Sequence, residues 1–187
     1  MFFMEEKLQS RINELETYRY RDVIELQDIL VKESGNEIPN PEVPTDFADF
    51  TKEKVGMFWK GWDKYLWLHI LAKFPEEWKE KRILGIFDFG KTGGGGNSGF
   101  ESMLYIEGKP YQGVDSNHQE VFFDQEVIGK PLGLTFRLWS GLEGGGVPRE
   151  QEHRIKRAAL TWLDEKTDDL YYLAKMILDT YLSLIHI

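Results

Sequence analysis

The chain has 187 residues, 23 Lys and Arg against 32 Asp and Glu, a net charge of −9 and no cysteine. Disulfide scaffolds, zinc ribbons and thiol catalysis are excluded by the missing cysteines, and the acidic balance opposes nucleic-acid binding, which needs clustered cations for phosphates. A hydrophobic share of 41% with 14% aromatics indicates a folded chain with a real core. No apolar run reaches the roughly 20 residues that span a bilayer, and the N-terminus lacks a signal-peptide pattern. The expected compartment is cytoplasmic, with no membrane partner.

Residues 4–30 place Leu8, Ile12 and Leu15 at helical spacing among charged and amide side chains. An N-terminal amphipathic helix is therefore expected within residues 1–32. Gly35, Asn36, Pro39, Pro41 and Pro44 then predict a linker over 33–55. From 56 to 163 the chain turns to short aromatic and β-branched runs at 65–74, 82–89, 101–107, 120–123 and 132–139, bounded by Gly, Pro, Asp or Asn. The absence of long helical patterns between them predicts an antiparallel sandwich rather than βαβ units. Glu107-Gly108 is the expected turn of a hairpin. The Gly-rich stretch at 140–148 reads as a flexible connection, 155–163 as a last strand, and 164–187 as a linker helix with Asp164 and Glu165 in its first turn. The fold class is mainly β, with a helix at either end.

Gly85-Ile-Phe-Asp-Phe-Gly90-Lys91-Thr92 satisfies the formula of a phosphate-binding loop. Its middle residues form the end of an alternating strand, and four glycines at 93–96 disfavour the helix that such a loop requires. The match is set aside as a strand running into a glycine loop. The four histidines, His69, His118, His153 and His186, show no metal-ligand spacing. No metal site and no catalytic residue is predicted.

One polar cluster stands out, Asp115-Ser-Asn117-His118 followed by Glu120. It lies in a loop between strands and combines a carboxylate, an amide and an imidazole, all able to bond sugar hydroxyls. The plainer reading is an Asx-type turn. Trp59, Trp62 and Trp67 are either a platform for a sugar face or core residues.

Several segments together resemble the N-terminal region of cytosolic-type α-mannosidases of glycoside hydrolase family 38. They are Tyr18-Arg-Tyr-Arg-Asp22, Phe74-Pro-Glu-Glu-Trp78, Phe87-Asp-Phe-Gly90, the 104–113 run Leu-Tyr-Ile-Glu-Gly-Lys-Pro-Tyr-Gln-Gly with Asp115, Asn117, His118 and Glu120, and Leu170-Tyr-Tyr172. The resemblance implies a lead helix, then a jelly-roll-like, galactose-binding-like sandwich, then a helix leading into a zinc-dependent catalytic barrel of a retaining mannosidase. The zinc motif, which begins with His-x-Asp, does not occur in this chain, so zinc is expected only in the barrel of the parent enzyme. What carries over is the loop of Asp115, Asn117, His118 and Glu120, as substrate-binding candidates. The implied partners are the catalytic barrel of the same polypeptide, carbohydrate, and a further copy in a homo-oligomer. Leu182-Ser-Leu-Ile-His-Ile187 resembles the translated transposon end used in sequencing-library preparation, so 182–187 is expected to be a non-native tail. A stand-alone carbohydrate-binding sandwich is the alternative.

Overall fold

The computed structural model describes residues 4–34, 41–90, 101–141 and 151–185. Helix α1 spans Met4–Thr17, and among the described residues twelve strands follow before helix α2, Glu165–Ile185. The strands are β1 (Tyr20–Glu25), β2 (Asp28–Ser34), β3 (Thr51–Lys54), β4 (Phe58–Gly61), β5 (Tyr65–Ala72), β6 (Arg82–Asp88), β7 (Glu101–Ile106), β8 (Lys109–Asp115), β9 (Glu120–Phe122), β10 (Leu132–Trp139), β11 (Gln151–Arg154) and β12 (Arg157–Leu163). A four-stranded sheet of order β1-β12-β6-β9 faces a six-stranded sheet of order β3-β2-β5-β10-β7-β8, and β11 pairs with β4 in a separate ribbon. Every pairing is antiparallel, as the spacing of the strands predicts.

The sandwich core follows the two-residue alternation of its strands. Leu66, Leu68 and Ile70 of β5 face the same interior as Leu134, Phe136 and Leu138 of β10, and all six are at most 3% exposed. From the other sheet, Phe87 meets Phe136 with ring centroids 4.9 Å apart, and Phe89 meets it edge-on at the same distance. Glu107 and Gly108 both take positive φ, 50° and 74°, so the β7–β8 hairpin closes through the primed type of turn expected there.

The expected helix over 1–32 stops at Thr17, and residues 20–34 form β1 and β2. Val23, Ile24, Ile29 and Val31 are β-branched, and Ile29 and Val31 fill alternate core positions on either side of the half-covered Leu30. The sandwich therefore begins at Tyr20 rather than at 56, and β3 extends it within the expected linker. Asp164 lies just outside the helix. Its Oδ1 accepts the Thr167 backbone N–H at 3.1 Å, which caps the helix N-terminus. The glycines at 93–96 and 144–146, Lys91 and Thr92 of the phosphate-loop match, and the last two residues of the expected tail lie outside the described residues.

His153 is fully buried, stacks on Trp59 at 4.7 Å, and its Nε2 donates to the Ser140 carbonyl at 2.8 Å. Burial lowers its pKa below the ordinary 6.5, a loss the bond to Ser140 only partly offsets. His69, stacked on Phe47 at 3.7 Å, is lowered by burial in the same direction. Unfolding frees both to take up protons near 6.5, so the unfolded chain binds more protons below that pH. Stability is expected to be fully present above about pH 7 and to fall as pH drops through about 6.5 towards 5, read as a falling urea midpoint. His153→Gln flattens that slope. Asp115 and Asp164, held below their ordinary 3.8, contribute only in the more acidic range. Phe136→Ala is expected to cost about 3–5 kcal/mol in the same measurement.

Candidate functional site

The site grows out of the β1–β12 pairing. Tyr20 stands opposite Leu163, so Arg19, one residue before the strand, lies beside Asp164, whose backbone N–H donates to the Arg19 carbonyl at 2.8 Å. The end of α1 thereby meets the start of α2, and the two helices run antiparallel with Ile12, Tyr171 and Leu178 buried between them. Arg21 reinforces the junction through Asp164 at 2.9 Å.

Arg19 is 4% exposed, although arginine is a residue that is almost never fully buried unless it is paired. Its Nε donates to Asp168 at 2.6 Å, one terminal nitrogen to the Tyr20 hydroxyl at 2.9 Å, and the other to Glu120 at 3.0 Å and the Tyr172 hydroxyl at 3.3 Å. The rings of Tyr20, Tyr171 and Tyr172 each lie 4.9 Å from the guanidinium carbon. Burial acts to lower the Arg19 pKa, but the Asp168 bond, with Glu120 and the tyrosines, outweighs it and holds the charge firmly. Burial, then the hydrogen bond to Glu120, pushes the Tyr20 phenol well up, so it stays protonated and donates to that carboxylate.

This hub forms one wall of a cleft of about 400 Å³. Glu16, Gln112, Asn117, His118, Phe122 and Tyr172 complete much of the lining. All four sequence-predicted residues lie on or next to it. Asp115 folds back on its own loop: Oδ1 accepts the backbone N–H groups of Asn117 at 2.7 Å and His118 at 2.9 Å, and the His118 ring lies 3.0 Å away. Those bonds overcome the effect of burial and hold its pKa low. Asp115 therefore shapes an Asx turn. Glu120 serves Arg19 and Tyr20, while the Asn117 and His118 side chains stand exposed at the mouth.

Trp59 and Trp67 are buried, Trp62 is about half exposed, and no tryptophan lines the cleft. Among the described residues no three His, Asp or Glu converge to hold a metal ion, and no helix is long and apolar enough to cross a membrane. The residues that sequence reasoning left out of the site are Arg19, Tyr20, Asp168 and Tyr172. Their signal was the pair of aromatic motifs at 18–22 and 170–172, which the fold brings onto the 115–120 loop.

A two-sheet antiparallel sandwich clamped to a terminal helix pair defines the class of fold. No protein-family model and no curated protein sequence matches the chain. Among solved structures it is similar to a β-glucuronidase of Bacteroides uniformis, with TM-score 0.53 and 16% identity over 75% of this chain and 18% of that one. It also resembles β-glucuronidases of an uncultured Clostridium species (TM-score 0.49, 13% identity, 77% and 29% covered) and of Ruminococcus gnavus with D-glucaro 1,5-lactone (TM-score 0.46, 16% identity, 77% and 30% covered). The Bacteroides likeness is one of fold, and the chain spans less than a fifth of that protein's length.

Arg19→Met keeps much of the side-chain volume but strands Glu120 and Asp168. It is expected to destabilise the chain by about 3–5 kcal/mol in urea unfolding, as breaking a buried ion pair does. Tyr20→Phe, which removes one bond to a carboxylate, is expected to cost about 1.5–3 kcal/mol.

Proposed function

We propose that the chain is a non-catalytic, N-terminal accessory domain of a glycoside hydrolase. The observation that carries this reading is convergence. Three of the segments that resemble family 38 α-mannosidases, 18–22, 115–120 and 170–172, meet in one cleft although the chain separates Arg19 from Asp168 by 149 residues. The fold shared with a portion of the Bacteroides uniformis β-glucuronidase supports the same general role. The finer reading, drawn from the motifs, is a cytosolic, zinc-dependent, retaining α-mannosidase as the parent enzyme. Zinc and the reacting carboxylates belong to its barrel, and this chain's own residues set the direction of α2, the helix that leads to it. The Arg19 clamp to Asp168 and Glu120 supplies that orientation.

The decisive experiment is to recover the coding sequence in the source DNA beyond residue 181. An open frame continuing into a barrel with an early His-x-Asp is expected. A natural stop codon directly after the helix overturns the accessory reading, and a glycosidase barrel lacking that motif overturns only the mannosidase refinement. The purified chain is expected to show no mannoside hydrolysis. Turnover that persists through purification and follows added zinc contradicts this.

The exposed Asn117 and His118 at the cleft mouth favour a second reading, a carbohydrate-binding module in its own right. Titration with mannose and short α-mannosides, followed by NMR chemical shifts, tests it. Saturable shifts that vanish in Asn117→Ala and His118→Ala are its expected signature, and flat spectra exclude it. These positions are chosen over Asp115, whose loss disturbs the turn itself.

A further inference from the structure

We propose that a second pocket, at the β3 edge of the six-stranded sheet, binds a free α-amino acid with an apolar side chain. It is a cavity of about 500 Å³ lined from β2, β3, β4 and β5. In the six-stranded order β3 and β8 are opposite edges, so the pocket lies across the sandwich from the cleft, to which β8 contributes Gln112. The first observation is a buried donor with nothing to donate to. Trp59 forms part of the cavity wall and is 7% exposed, yet among the described residues its indole Nε1–H meets no acceptor. Buried N–H groups without an acceptor are rare in native folds, and one in a cavity wall marks where a ligand's acceptor belongs. The indole is held in place by its stack on His153 at 4.7 Å.

The second observation is charge of both signs that does not meet. The register places Thr51 opposite Val31 and Glu33 opposite Leu66, so both polar side chains continue an inward-facing apolar row out to the rim. Val31 and Leu66 are buried, Glu53 is half-buried, and Glu33, Thr51 and Lys64 stand exposed around them. Two other lysines of the lining are answered, Lys32 by Asp49 and Lys60 by Glu152. Glu33, Glu53 and Lys64 share the cavity but form no ion pair with one another or with any other described residue. Inward-pointing charge also guards an edge strand against strand addition, which accounts for Glu53 but not for the unanswered indole.

Together these groups describe the ligand. A carboxylate accepts from the Trp59 N–H and from Lys64, an ammonium donates to Glu33, Glu53 and the Thr51 hydroxyl, and an apolar side chain lies on Val31, Met57 and Leu66. An amino acid carries all three on one carbon. A neutral ligand leaves the charges unused, and a simple acid or amine answers only one sign. The β4–β11 ribbon is paired with neither sheet, so it can settle onto the ligand and bring the indole to the carboxylate. The volume lies within the range of about 300–1,000 Å³ that small-molecule sites occupy. The inference rests on this pocket alone and is independent of the glycosidase reading and of sugar binding in the cleft.

Titration of the 187-residue chain with L-leucine, followed through the indole N–H resonances of isotope-labelled protein, tests the proposal. The Trp59 signal, assigned with Trp59→Phe, is expected to shift saturably. Isocaproate and isoamylamine, which each keep one of leucine's two charges, are expected to bind at least about tenfold more weakly. Glu33→Gln and Lys64→Met, both at exposed positions, are each expected to weaken leucine by about tenfold with the urea midpoint unchanged, whereas Asn117→Ala in the cleft leaves binding intact. A Trp59 signal that leucine does not move overturns the proposal. Equal binding of leucine and either single-charge analogue overturns the ligand class, and a response that survives both substitutions overturns the assignment of the pocket.

Discussion

Arg19 carries a full charge into a place that water barely reaches, and the arrangement of the molecule's ends depends on how that charge is met. Apolar burial pulls surfaces together without specifying an angle, whereas a planar guanidinium with fixed donor directions does. The two helices share a small cluster around Ile12, Tyr171 and Leu178 that is separate from the sandwich core. Arg19 joins the two bodies. Asp168 lies on α2, Glu120 opens β9, and Tyr20 opens β1, so one side chain fixes three segments against each other.

The same arrangement divides the polar residues of the cleft by task. Glu120 and Asp168 balance a charge and Asp115 holds a turn, so three of the carboxylates near the cleft are committed to architecture. Asn117 and His118 are the side chains left facing solvent on that loop. A site so composed is suited to hydrogen-bonding a neutral surface or a protein neighbour.

Much of the sandwich was legible from sequence because its central strands alternate cleanly. The bounds of β10 were readable to the residue, and the β7–β8 turn announced itself through Glu107-Gly108. Residues 20–34 were misread because Arg19, Val23, Leu26 and Leu30 continue a helical spacing by coincidence, and no Gly or Pro marks the end of α1. The strands β4 and β11 are four residues each and mix charge with aromatics, too little pattern for either periodicity to register. At the site, the 115–120 loop was visible as a local cluster. Its partner Arg19 was not, since a long-range ion pair leaves no trace in local spacing; only the two tyrosine-bearing motifs hinted that distant segments had a common purpose.

The pairing of the first strand with the last has a temporal consequence. The four-stranded sheet cannot be completed until β12 exists, and Arg19 has no Asp168 to meet until the chain is 149 residues longer. At ribosomal speeds of about 5–20 residues per second, α1 and β1 wait on the order of 10 s outside the tunnel before their partners emerge. Through that interval β2, β3, β5, β7, β8 and β10 can assemble the larger sheet, while an amphipathic helix and an open strand remain unsatisfied. The acidic, lysine-bearing surface of α1 keeps that waiting segment in solution, and closure of the sandwich is coupled to the moment α2 begins to form.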